Sequence, residues 1–167
     1  MKTELRIPHP LYAAAVADLI RPHPFAAERV GFFSIALGKL ATDHVLLLVN
    51  GYTSVPDGQY LDDQWVGARL GSEAIRAALQ RVLDTGFGQL HVHLHDHDGI
   101  PYPSGTDARA MPPLIKSLAV AGPNCAHGAI ILSRDRAWAQ VAAPGSPRLL
   151  EASTITVVGF PLRFLQR

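Results

Sequence analysis

A single mixed α/β domain is the fold class that this 167-residue sequence predicts, and three observations predict it. Residues 89–95 alternate His with Leu or Val, which is the period of a β-strand. Residues 72–83 carry apolar side chains at helical spacing. Residues 43–50 form a continuous apolar run bounded by turn formers, the pattern of a strand buried on both faces. Taken along the chain, the segments read strand, helix, several strands, helix, histidine strand, helix and closing strands, an α/β or α+β order.

The elements follow in turn. Leu5-Arg-Ile7 is a short edge strand stopped by Pro8 and Pro10, and residues 11–20 are an Ala-rich helix ended by Pro22 and Pro24. One further turn is expected at 25–28, leaving Glu28 where helix-like chain enters a strand at 30–37. After the apolar run comes a polar loop, 50–63, with Pro56-Asp-Gly58 as its turn. Ser72 is the expected N-cap of the next helix, Ile75, Leu79 and Val82 form its apolar stripe, and residues 85–88 close it. Beyond the histidine strand, Pro112 and Pro113 predict a turn at 107–111 and a cleaner helix at 114–120, because proline does not fit a helix interior. Residues 128–133 and 137–142 are an antiparallel pair joined by Arg134-Asp-Arg136; 144–147 is loop and 154–160 the last strand. Trp65 and Trp138 are expected in core or rim packing.

Composition narrows the class of function. The length fits one domain, 1–167, with a substantial core, and 48% apolar against 17% charged residues is the balance of a compact soluble protein. A net charge of +1 offers no argument for nucleic acid or an anionic membrane as partner, so neither is expected. The single cysteine, Cys125, excludes an internal disulfide framework and fits a reducing cytoplasm, with a buried, inert thiol. The first eight residues are too polar for a signal peptide, and the run 45–49 falls far short of the ~20 residues that span a bilayer. A soluble, cytoplasmic protein is the expectation, and the Ala/Arg-rich composition reads as bacterial.

The chemistry concentrates in His91-Val-His-Leu-His-Asp-His-Asp-Gly and the turn-rich loop after it, which runs to Ser104-Gly-Thr-Asp107. Side chains two apart on a strand share a face about 6.6 Å apart, so two imidazoles can turn onto one metal ion. Asp107 can start a helix and supply a third, oxygen ligand. Two His and one carboxylate with an open fourth position are the donor set of a catalytic zinc.

This pattern resembles the JAMM (JAB/MPN) zinc metalloproteases, whose His-x-His, short loop and Ser-x-x-Asp are completed by an upstream Glu-x-x-Gly entering a strand. Here the matching residues are Glu28-Arg-Val-Gly31, His93-Leu-His95 and Ser104-Gly-Thr-Asp107, and the resemblance runs from residue 28 to about 141. The family usually has seven residues between the second His and the Ser. His93 and His95 leave eight and His95 and His97 leave six, so spacing admits both pairs. The first pair is preferred because His97 precedes the turn signal Asp98-Gly99. Asp96 stands where the family usually has Pro.

The resemblance implies a curved, mostly antiparallel mixed sheet or partial barrel flanked by helices, of the cytidine-deaminase-like kind. It implies one Zn2+ per chain on His93, His95 and Asp107, with Glu28 as general base and Ser104 donating to the oxyanion. His91 and His97 are expected behind the ligands or at the rim. The activity implied is isopeptide or peptide hydrolysis after the C-terminal glycine of a ubiquitin-like protein, with E1- and E2-like proteins as associated partners, as in antiphage conjugation systems. The substrate tail is expected to add as an extended strand beside the zinc, with residues 50–63 and 144–153 as contact regions. Two alternatives stay open: a metal-dependent small-molecule amidohydrolase, and a non-catalytic MPN scaffold.

Overall fold

The protein is described from a computed structural model, which covers residues 2–24, 26–63, 67–146 and 148–166. The expected turn at 25–28 therefore falls partly, and Trp65 wholly, outside the described residues.

In chain order the elements are β1 (Lys2–Pro8), α1 (His9–Leu19), β2 (Val30–Leu40), β3 (His44–Ser54), a 3-10 turn (Asp57–Gln59) and α2 (Ser72–Thr85). There follow β4 (Gly88–Leu94), α3 (Gly105–Ala121), β5 (His127–Leu132), β6 (Ala137–Ala142), β7 (Leu149–Glu151), β8 (Thr154–Val158) and β9 (Arg163–Phe164). The strands form one mixed sheet in the order β7-β6-β5-β4-β2-β3-β1-β8-β9. Five of its eight pairings are antiparallel; β1–β3, β1–β8 and β4–β5 are parallel. The sheet curls until the Ala137 N–H donates to the Leu165 carbonyl at 3.1 Å, bringing its two ends together.

Strand alternation sorts the side chains into two cores. Leu5, Ile7, Phe33, Leu47, Leu90 and Ile130 point inward with Tyr12, Ala15 and Leu19 of α1, so the inner face of the sheet wraps that helix. Phe32 and Val30 point outward, where Ala74, Ala78 and Val82 of α2 and Leu118 of α3 cover them. Farther along the outer face, Met111 and Ile115 of α3 pack on Ile131 and Trp138, which places Trp138 in a core. At ~25 cal/mol per Å² of apolar surface removed from water, this two-sided burial is the main force holding the layers.

Several expectations are corrected. β1 is not an edge strand but lies between β3 and β8, because Thr3, Leu5 and Ile7 fill one face while both backbone edges pair. β3 is buried on one face only; Val45, Leu47 and Val49 point inward while Leu48 is 38% exposed, since α2 and α3 lie over β4 and β5 instead. β3 also runs on to Ser54, taking the first part of the expected loop 50–63. Residues 26–28 make no helical turn, the Glu28 N–H donating to the Gly67 carbonyl at 2.7 Å. Gly71, not Ser72, is the N-cap of α2; the buried stripe of that helix is Ala74, Ala78 and Val82, with Ile75 and Leu79 half-buried beside it. α2 stops at Gly86, whose φ of 68° is the left-handed conformation that closes helices.

The helix after the histidines is continuous from Gly105 through both prolines. Pro112 and Pro113 deprive the carbonyls of Ala108 and Arg109 of helical partners, but those residues are exposed, so water can take the place of the missing N–H. Cys125 is half-buried rather than buried, its thiol donating to the Gly86 carbonyl. Among the described residues no helix is long and apolar enough to cross a membrane.

Candidate metal centre

Alternation along β4 decides which histidines meet. Leu90 and Val92 point into the inner core, so His91 and His93 point outward beneath the outer helix layer. His95 lies one residue past β4, and its N–H donates to the Leu132 carbonyl at 2.9 Å, so β5 holds it in line. The His93 and His95 Nε2 atoms are 3.1 Å apart. His97 is exposed, with Nδ1 against the Asp98 carbonyl at 2.9 Å.

The loop from 96 to 104 is fastened to the β5–β6 turn, which fixes where α3 begins. Arg134 pairs with Asp96 at 2.8 Å, the Gly99 N–H donates to Asp135 at 2.7 Å, and the Ser133 hydroxyl donates to the Gly99 carbonyl at 2.6 Å. Ser104 is the N-cap of α3. Its Oγ accepts the Asp107 N–H at 3.1 Å, and the Asp107 carboxylate accepts the Ser104 N–H at 2.8 Å. The Ser-x-x-Asp spacing is thus a capping box, and it also aims the Asp107 carboxylate at the histidines. Asp107 Oδ1 is 3.4 Å from His93 Nε2 and Oδ2 is 3.5 Å from His95 Nε2.

Glu28 reaches the same place from the α1–β2 connection, with a carboxylate oxygen within 4.8 Å of both His ligand atoms. Three contacts set its position. Arg29, 3% exposed, donates to the carbonyls of Arg21 (3.0 Å) and Pro22 (2.7 Å) and pairs with Asp57 at 2.6 Å. The Tyr60 hydroxyl takes the Val30 N–H at 2.7 Å. Gly67 lies flat against the Glu28 carboxyl group, where a Cβ would come within 2.6 Å of Cδ.

Burial and neighbouring charge set the protonation. Burial pushes the Glu28 carboxyl up, with His93 opposing and Asp107 adding to the shift. Burial would raise Asp107 too, but hydrogen bonds from His93 and Ser104 outweigh it and hold this carboxyl well below the usual range. Burial, then repulsion from His93, lowers His95; burial takes His91 down to about 3. An ionised Asp107 carboxylate and a His95 imidazole held toward its neutral form are the states a metal needs.

The residues can hold a metal ion. A tetrahedral site with bonds of about 2.0–2.1 Å has donor–donor edges of roughly 3.3 Å. The two Nε2 atoms are 3.1 Å apart, Asp107 approaches His93 through Oδ1 and His95 through Oδ2, and Glu28, His93 and His95 bring one ligand atom each within 4.8 Å of one another. The His93 Nδ1 is buried without a hydrogen-bond partner in the described structure, so packing rather than a second hydrogen bond orients that ring.

The cluster opens into a cleft of about 720 Å³ between Asp63, residues 67–70, α2 and the start of α3. Gly67, Arg29 and Arg109, all close to the cluster or lining its cleft, carry no motif in the sequence; only Arg29, as neighbour of Glu28, had a positional hint. None of the described residues of 144–153 lines this cleft; Gly145, Ser146 and Leu149 border a separate groove beside Pro112 and Ile115. β4 pairs with β2 on one edge and β5 on the other, so among the described residues β4 offers no free edge for an added strand. The chain matches no family model and no curated protein.

Proposed function

We propose that this chain is a zinc-dependent amide hydrolase resembling the JAMM metalloproteases, acting after the C-terminal glycine of a ubiquitin-like protein. The observation that carries it is the convergence of Glu28, His93 and His95 within 4.8 Å at the head of a cleft, with the Asp107 carboxylate 3.4–3.5 Å from both imidazoles. His93, His95 and Asp107 would hold the zinc, which when bound supplies a Lewis acid and lowers the pKa of a coordinated water to about 7. Glu28 accepts the proton of the attacking water and returns it to the leaving amine, work suited to a carboxyl whose pKa burial has raised. Ser104 gives its oxygen to the capping bond and keeps its own O–H free to meet the carbonyl oxygen as that atom gains charge. With both edges of β4 paired, the substrate tail lies in the cleft rather than as an added strand.

The test is incubation of the zinc-loaded protein with ubiquitin-like fusions bearing C-terminal extensions or lysine-linked cargo. Cleavage directly after the terminal glycine, stopped by chelator and by Glu28→Gln, is the expected result. Bound zinc with no bond cut would point to a scaffold. The cleft volume favours one second reading, a small-molecule amide hydrolase, because about 300–1,000 Å³ is the range of small-ligand sites. Cleavage of short acyl-amides but of no fusion would establish that reading instead.

A further inference from the structure

The side chains of the cluster differ in what aims them. The Asp107 carboxylate is held by the Ser104 N–H, and the His93 and His95 rings face each other and that carboxylate. Among the described residues no hydrogen bond holds the Glu28 carboxylate. A glutamate turns about three side-chain torsions, so packing must set where this one points. Gly67 supplies the packing. Its carbonyl takes the Glu28 N–H at 2.7 Å, which lays the two backbones side by side. A Cβ at 67 would stand 2.6 Å from Glu28 Cδ and 3.0 Å from Oε1, well inside the ~3.5–4.0 Å of a carbon–carbon contact. The segment that carries Gly67 is itself fastened. The Leu61 N–H donates to the Arg69 carbonyl and the Gly71 N–H to the Gln59 carbonyl, both at 2.8 Å, around the Tyr60–Leu70 bridge. The Tyr60 hydroxyl ties this ladder to β2 by taking the Val30 N–H at 2.7 Å. Between ladder and strand, the Glu28 carboxyl is the part that can move.

We propose that Gly67 is a positioning residue for Glu28: the missing side chain at 67 leaves the room in which the Glu28 carboxyl lies beside His93 and His95. Any side chain at 67 turns that carboxyl out of the cluster. The consequence for turnover rests on the amide-hydrolase reading above; the steric relation does not. The displaced group is the far end of a flexible side chain, so a methyl at 67 shifts it without unfolding the domain. A glycine needed for its own backbone would behave otherwise, because its replacement would do harm whatever stood at 28. The two causes therefore separate in a double variant.

The test uses the full chain as parent, Gly67→Ala, Glu28→Gln, Glu28→Ala and the double variant Gly67→Ala/Glu28→Ala. Crystal structures of the metal-free parent and Gly67→Ala are expected to share the backbone of 59–61 and 67–71 and to differ in the Glu28 rotamer. With a ubiquitin-like fusion bearing a C-terminal extension, kcat of zinc-loaded Gly67→Ala should fall about a hundredfold with KM unchanged, the cost of a misplacement of about 1 Å. Zinc content should follow Glu28→Gln, kept in both variants or lowered in both. The double variant should melt with Glu28→Ala, and it decides the matter if Gly67→Ala alone fails to fold. A Glu28 carboxyl in its parental place in Gly67→Ala overturns the assignment, as does a double variant melting well below Glu28→Ala. A loss confined to KM overturns it too, because the methyl would then only obstruct the cleft. If Gly67→Ala keeps full turnover while Glu28→Gln loses it, the assignment falls and the hydrolase reading stands. If the parent cuts no fusion, the hydrolase reading falls, and the rotamer and the melting comparison still decide Gly67.

Discussion

Glu28 is the side chain on which turnover and metal content separate. Its carboxyl is raised above its ordinary 4.5, by burial first, with Asp107 adding and His93 opposing. A base works only when ionised, so activity should be present above the raised pKa and lost as pH falls through it. The acid limb is therefore expected above the midpoint of an unperturbed glutamate. Glu28→Gln keeps the shape and removes the base, so turnover should fall by about 10²–10⁴ while zinc stays bound. Turnover against pH and metal content by elemental analysis check both halves. Loss of zinc in Glu28→Gln would make Glu28 a ligand; unchanged turnover would remove it from the chemistry.

Two elements present the ligands, and each can be tested through the bond that fixes it. Ser104 both caps α3 and offers a hydroxyl to the cleft. Ser104→Asn keeps a good cap but removes the hydroxyl, whereas Ser104→Ala removes both. Turnover should drop by about 10²–10³ in each, and only the alanine variant should lose about 1 kcal/mol of stability. Equal turnover in Ser104→Asn and the parent would leave Ser104 as a cap alone. The segment carrying Glu28 depends on the Arg29–Asp57 pair, and the Arg29 hydrogen bond is the largest cause of the depressed Asp57 pKa. A depressed carboxyl pKa contributes stability above the unfolded value, 3.8, that is lost as pH falls through the lower folded value. Hydrogen exchange at the amides of 28–30 should therefore rise below about pH 4, and Asp57→Asn should exchange faster already at neutral pH with no further acid step.

At the scale of the whole molecule, what the sequence showed was whatever is periodic or local. The alternation of 89–95 announced β4 and put His91 and His93 on one face; Ser104-Gly-Thr-Asp107 announced a helix start; Ala137–Ala142 emerged with its bounds as expected. The interior place of β1 was hidden because parallel pairing with β3 and β8 joins strands more than forty and one hundred and forty residues away, and no local pattern records it. The prolines of α3 misled because solvent at Ala108 and Arg109 decides whether the helix continues. Gly67 and Arg109 became visible only once the chain closed around Glu28 and the cleft. That closure has a thermodynamic consequence. His93 and His95 come from β4 and the residue after it and Asp107 from the outer helix layer, so an ion held between them would tie the two layers together. A metal that binds only the folded chain adds RT ln(1 + [L]/Kd), about 2.7 kcal/mol at a hundredfold excess over Kd. For a domain of this size that is a rise of roughly 5–11 °C in Tm, reversed by chelator. One zinc per chain is expected. His93→Ala and Asp107→Ala should abolish the zinc-dependent rise, while His97→Ala, outside the cluster, should keep it. If His97→Ala empties the site and His93→Ala does not, the ligand pair moves to His95 and His97 and Asp107 must be reached from the loop side.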